Sequence, residues 1–467
     1  MQPGSLTPRG VIYTISCRKV AAGLRTLLFF LAAPLLAAEY KAGIAKIDIT
    51  PKEPIYMSGY ATRNHPSEGV TQHLFAKALA IEDGHGTRVV IVTTDLIGLP
   101  RAISDPVAAE AAKRWGIDRA HLMFNSSHTH TGPLLLHNLN LMFELSEAET
   151  AAVERYTRQL SEDLITVVGG ALQDLQPARV WLGNGAAHFA VNRRQFTPNG
   201  VKIGVNPQGP TDPDVPVLKV TAPDGRVRAV LAGYACHNTT LTGEFYQITG
   251  DYAGYAQAEL EKAYPGATAL FLQLCGGDQN PNPRSTMQLA EQHGAALAAE
   301  VKRVLDGRLA PVRGPIRAAF QIVDLGFAYH TRQQFEARLT EKNVWRVRHA
   351  RAMLRTYDEG RPIRTYPYPV QALAFGKALT VLALGGEVVV DYDLRVKKEF
   401  GATGMIVAGY SNDVMAYIAS KRVLKEGGYE ADDSMIYYGQ PGPWAEDVEE
   451  RIFTTIHQVM KRVGRKG

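Results

Sequence analysis

The nine residues Asn125-Ser126-Ser127-His128-Thr129-His130-Thr131-Gly132-Pro133 place two imidazoles two positions apart, directly after the apolar run Leu122-Met123-Phe124. On extended backbone, residues i and i+2 share a face, so His128 and His130 can aim both rings at one point, a geometry that suits a metal. Taken alone the motif fits a polar loop more readily, and further ligands must come from elsewhere. His237 ends the apolar run LAGYAC in the same strand-end context. Glu387 follows the run TVLAL and two glycines, where a carboxylate is exposed unless it is paired or bound to a metal. These four residues, with one more oxygen or nitrogen, would make a zinc site of the catalytic type. They are spread over roughly 260 positions of chain, so spacing gives no sign that they converge.

Three acids stand nearby in the sequence, each with a structural alternative. Asp251, after Gly250 and before a helical pattern, reads as an N-cap ahead of a catalytic group. Asp278 lies in LCGGDQNPNP, a tight loop whose two glycines would let backbone approach a ligand; a loop-capping role is the favoured reading. Asp95, after VVIVTT, is the one obvious further strand-end acid.

The elements that must hold these groups follow from hydrophobic period. Strand patterns occur at 88–96, 121–127, 178–183, 268–276 and 404–411. Hairpins are expected over 215–237, turning at Asp224-Gly225, and over 368–386, turning near Gly376-Lys377. Helical period marks 146–175, 251–263, 286–307, 331–358, 391–400 and 444–463, and the mixture predicts an α/β fold, or α+β layers with mixed sheets flanked by helices. The Pro- and Gly-rich stretch 197–216 reads as a loop.

Residues 1–38 carry Arg9, Arg18, Lys19 and Arg25, no acid, and the apolar run Leu27–Ala38, the pattern of an export signal cut near Ala38, with an uncleaved anchor as the alternative. One domain over 39–467 is then expected, exported to the periplasm or secreted. Of the 51 basic residues four leave with the leader, so 47 face 46 acids, a net charge of +1. No basic block remains to bind nucleic acid. Cys236 and Cys275 could pair in an exported chain, or could be two buried thiols.

Together these segments resemble the catalytic domain of the neutral/alkaline, non-lysosomal ceramidase family, exported zinc amidases that cleave the N-acyl bond of ceramide. SSHTHTGP is similar to the family's H-T-H-S-G-P, whose first histidine binds zinc and whose second lies against the substrate. The resemblance implies zinc ligation by His128, by His237 in YACHNTT, by Glu387 in LGGEVVV and by Tyr417 in YSNDVMAYI. It implies that Arg193 in VNRRQ holds the substrate, with His130 beside it.

In the family loop G-D-x-S-P-N the serine is the nucleophile, whereas here GGDQNPN has Asn280 at that place, and an amide cannot attack a carbonyl. Zinc lowers the pKa of bound water to about 7, so hydrolysis does not require the serine. The expectation is therefore hydrolysis of an amide by water, with His130 and Arg193 on the substrate oxygen and Asn280 or Asp278 positioning the water or the leaving group. The family's C-terminal immunoglobulin-like domain is not matched. The substrate expected is an N-acyl lipid or a small N-acyl amine, amide or ester, with peripheral membrane contact. The apolar run 133–145 would line an acyl pocket or pack as ordinary core. A non-catalytic zinc-containing binding protein is the rival, and metal-dependent phosphoester hydrolysis, which needs more carboxylates, ranks last.

Overall fold

The computed structural model describes residues 39–466 together with 11, 12 and 14, so the expected export signal over 1–38 lies outside the described residues. Its frame is a nine-stranded mixed sheet. From one edge the order is Thr268–Gln273, Val227–Tyr234, Asp214–Thr221, Gln176–Ala186, Tyr40–Asp48, Phe75–Asp83, Arg88–Thr94 and Leu122–Ser126, with Ala310–Val312 beside Gln176–Ala186. Most pairs are antiparallel, but each edge pair is parallel. The almost wholly buried strands of those pairs suit that arrangement, since a parallel pair is buried on both faces.

A second sheet of four strands, Ile316–Gly326, Thr365–Phe375, Leu379–Leu384 and Met405–Ala408, packs against the first. The apolar residues joining the two include Leu79, Ile91, Leu231 and Leu272 from the first sheet and Leu373, Phe375, Val381 and Ile406 from the second. Helices Arg101–Trp115 and Glu147–Gln173 cover one flank through Ile103, Val107, Leu160 and Leu164. Asp251–Ala263 and Met287–Asp306 cover another through Leu260, Leu297 and Val301. The capping box of Ser146 and Glu149 satisfies the first turn of the long helix. Among the described residues no helix is long and apolar enough to cross a membrane.

The strands expected at 88–96, 121–127, 178–183, 268–276 and 404–411 and both hairpins are present. Three expectations need correction. The stretch 197–216 is a loop only over 207–213: Ala190–Thr197 and Gly200–Asn206 form a hairpin that turns at Pro198-Asn199, with Gly200 following at φ +92°, and the next strand, Asp214–Thr221, has begun before residue 216. The helical pattern 331–358 is two helices, Arg332–Arg338 and Val344–Asp358, because Asn343 caps a new start by accepting from Trp345 N and Arg346 N. Asp251 is no N-cap either. Gly250 holds that position, and Asp251 itself has φ +51°, its carboxylate accepting from Leu241 N and Tyr252 N. Cys236 and Cys275 are two unpaired buried thiols.

Candidate metal centre

The two edges of the large sheet meet at one residue. Asn125 donates from its amide to Gln273 O and Gly409 O, and its Oδ1 accepts from Gln273 N at 2.8 Å. Both edge strands and the second sheet's Met405–Ala408 strand therefore end at one place. Open α/β sheets bind ligands beyond the carboxyl ends of their parallel strands, and that is where every expected ligand arrives.

His128 follows Leu122–Ser126, with φ +65° and its N donating to Leu96 O. His237 follows Val227–Tyr234. Gly386, at φ +72°, turns the chain so that Glu387 opens a two-residue strand parallel to Tyr417–Ile418, and Glu387 and Tyr417 become register partners. Non-glycine residues in left-handed backbone are costly, and His128, Tyr410 and Asn412 all lie here in that region, as is common at sites under functional constraint.

The ring nitrogens have defined roles. His128 Nδ1 donates to Ile97 O at 2.6 Å and His237 Nδ1 to Gly276 O at 2.7 Å. A carbonyl only accepts, so each Nε2 keeps its lone pair turned inward, and that of His237 also accepts from Arg193 Nη1 at 3.0 Å. Glu387 Oε2 sits 3.0 Å from Nε2 of His128 and 3.1 Å from Nε2 of His237, buried and without a hydrogen-bond partner. Three acceptors with no proton between them repel unless a cation lies among them. Their separations approach the edge, about 3.3 Å, of a tetrahedron with zinc bonds of 2.0–2.1 Å. The donor set thus fits zinc. Tyr417 Oη stands 3.2 Å from His237 Nε2 and accepts from Arg193 Nη2 at 2.9 Å.

His130 differs from its neighbour. Its Nε2 is 3.0 Å from that of His128, and its Nδ1 is buried without a partner. The nitrogens of His128, His130 and His237 lie within 4.8 Å of one another, close enough for all three to hold an ion. Gly59 makes room for the ring: a Cβ there would clash with His130 Nδ1. Burial, then His128 and His237, push the His130 imidazolium well below the usual range. Burial and the adjacent Arg193 push His237 down to about 3.

Arg193 reaches the site because the strand bulges. The register shifts between Asn192 and Arg194, so two successive side chains that would point to opposite faces both find Glu430. Arg193 Nε is 2.7 Å and Arg194 Nη1 2.6 Å from that carboxylate. Arg193 then donates from Nη1 toward His237 Nε2 at 3.0 Å and Asn280 Oδ1 at 3.3 Å. Asn280 also accepts from Thr239 Oγ1. Asp278 lies behind this group: Val390 N and Asn192 Nδ2 donate to its two oxygens, so it ties the loops together. Asp95 is remote, accepting from Phe75 N and Gln257 Nε2. The run 133–145 contributes Leu134, Leu139, Met142 and Phe143 to an apolar cluster that reaches Tyr437 and Tyr438.

Several residues here carry no sequence signal of their own. Glu430 lies in a π-helical turn, Tyr429–Asp433, a form concentrated at functional sites. Tyr438 donates its phenol to Glu387 Oε1. Arg63 clamps the H-T-H turn by donating to Ser58 O and His130 O.

Residues 40–302 match the N-terminal model of the neutral/alkaline non-lysosomal ceramidase family. A neutral ceramidase of Pseudomonas aeruginosa is 28% identical over 280 residues, 56% of this chain and 40% of that protein. One of Mycobacterium tuberculosis is 21% identical over 464 residues, 81% of this chain and 71% of that protein. The alignments to the Pseudomonas and the two Drosophila relatives span about two fifths of those proteins. The crystal structure of the Pseudomonas enzyme superposes with a TM-score of 0.70 at 20% identity, over 91% of this chain and 75% of that one, and shares its mixed α/β fold. With more than half of its length matched, this chain belongs to the neutral/alkaline non-lysosomal ceramidase family.

Proposed function

We propose that the chain is a zinc-dependent, ceramidase-like hydrolase that cleaves the C–N bond of an N-acyl lipid or N-acyl amine with water as nucleophile. The observation that carries this reading is the unpartnered Glu387 Oε2 between two inward imidazole lone pairs. His128, His237, Glu387 and Tyr417 would hold the ion, which when bound acts as a Lewis acid and lowers the pKa of water to about 7.

The chain's own residues then have separate tasks. Arg193 aims a buried guanidinium, fixed by Glu430, at the place where charge grows on the substrate oxygen. His130, neutral in its buried setting, turns its Nε2 to the same space, 3.0 Å from that of His128, and can hold a proton on its way to the leaving amine. Asn280 offers an amide where the family has its serine, and so orients the attacking water rather than attacking. The apolar cluster of Leu134, Met142 and Phe143 borders the site through Tyr438, which favours an acyl chain on the substrate. Relatives named neutral ceramidases, and a solved ceramidase complexed with C2, support ceramide as the first candidate to test. Export follows from the leader in this reading, with access to lipid at a membrane surface.

The test is a panel of N-acyl lipids, N-acyl amines and esters assayed with zinc and with a chelator. Chelator-sensitive turnover that vanishes together with bound metal in His237→Ala is the expected result. Asn280 favours one other reading, a zinc-containing binding protein. No hydrolysis by the zinc-loaded protein across the panel would establish it.

A further inference from the structure

The two oxygens of Glu387 have different surroundings. Oε2 faces the Nε2 atoms of His128 and His237, and Oε1 accepts the phenol proton of Tyr438. A carboxylate turns easily about its terminal bond, whose wells are broad and two-fold. Left alone in a buried site, it could offer both oxygens inward or rotate to a new donor. We infer that Tyr438 is a positioning residue for the metal carboxylate. Its hydroxyl holds Oε1 and so commits Oε2, in one orientation, to the point where the histidine lone pairs converge. The inference rests on the metal reading proposed above.

The phenol is itself held firmly. It closes a four-residue helix, Met435–Tyr438, that ends at Gly439 with φ +70°. Met435 and Ile436 are buried beneath it. Gln440 N bonds Met435 O at 3.0 Å, Gln440 Nε2 donates to Met415 O, and Gln440 O accepts from the buried His349 at 2.6 Å. The neighbouring Tyr437 turns its ring toward Trp345 instead, at a centroid distance of 6.2 Å. One short segment, 429–438, therefore supplies Glu430 to Arg193 and Tyr438 to Glu387. It sets the position of the ligand carboxylate relative to the cation that holds the substrate. Partners that orient a ligand are worth roughly 10- to 100-fold in metal affinity.

The experiment uses the whole chain stripped of metal, with zinc affinity read by competition against a chromophoric chelator. Tyr438→Phe keeps the ring and removes the donor, and should weaken zinc binding by about 10- to 100-fold with an unchanged melting curve of the metal-free protein. Tyr437→Phe should bind zinc as the parent does. Should Tyr438→Phe fail to fold, Tyr438→Leu replaces it. If the parent binds one zinc and the variant binds it as tightly, Tyr438 has no positioning role and the metal reading stands. If the parent binds no zinc, both fall.

Discussion

At the scale of single residues, Asn280 separates two ways of cutting an amide. Removing a catalytic nucleophile costs about 10⁴- to 10⁶-fold in turnover. Asn280 touches only Arg193 and Thr239 through its carbonyl oxygen, so Asn280→Ala should lower kcat by no more than about tenfold. A loss of 10⁴-fold measured against a zinc-loaded parent would contradict a merely orienting role for Asn280. Asp413 gives a prediction of another kind. Burial pushes its carboxyl up to about 6, although Tyr366 and Arg101 N donate to it at 2.8 and 2.9 Å. In the unfolded chain it titrates near 3.8. Between those values the native state binds more protons than the unfolded state, so stability from this group is lost as pH rises from about 4 to 6. Asp413→Asn does not titrate, and its Oδ1 can still accept from Arg101 N while its NH2 donates to Tyr366 Oη. Its Tm minus the parent's should therefore climb across that window, and a flat difference would refute the assignment.

At the scale of elements, the glycines of LCGGDQ show what a sequence can and cannot say. Their clustering after a strand marks a close backbone approach, and such an approach exists, but to protein rather than to ligand. A Cβ on Gly277 would meet Glu387 O at 2.7 Å and Val388 O at 2.8 Å, and Gly277 N donates to Val388 O. Gly277→Ala must therefore push the strand that carries Glu387. A cost of about 1–3 kcal/mol in chemical denaturation, with weaker zinc binding, is expected. Normal zinc affinity would mean that the loop yields without moving the ligand. Local pattern was enough for the strands ending at His128 and His237, for both hairpins and for the long helix, because alternation and helical period are written in adjacent residues. The Pro198-Asn199 turn, with Gly200 after it, was legible in the same way, yet the surrounding prolines and glycines masked the alternation of Val201, Ile203 and Val205. The bulge at Arg193, the π-turn bearing Glu430 and the phenol on Glu387 were not legible. What gives each its role is a partner far away in the chain, 237 residues for Arg193 and Glu430 and 51 for Tyr438 and Glu387.

At the scale of the whole molecule, the candidate ligands come from both sheets. His128 and His237 follow strands of the nine-stranded sheet, whereas Glu387 and Tyr417 follow Leu379–Leu384 and Met405–Ala408 of the four-stranded one. The shared apolar layer couples the sheets already, through residues such as Leu231, Leu272, Leu373 and Val381. An ion held by all four side chains would tie the same two sheets at their carboxyl ends, so metal must stabilise them together rather than one of them. Zinc at a hundredfold excess over its Kd contributes about 2.7 kcal/mol to the folded state. A unit of roughly 430 residues unfolds with an entropy near 0.9 kcal/mol per kelvin, so its midpoint should rise by about 3 °C. Calorimetry with and without zinc should show a single transition moving upward by that amount, and His237→Ala should remove the shift. Two transitions, of which zinc moves only one, would mean that the ligands do not span the sheets, and the four-residue site would have to be redrawn within one of them.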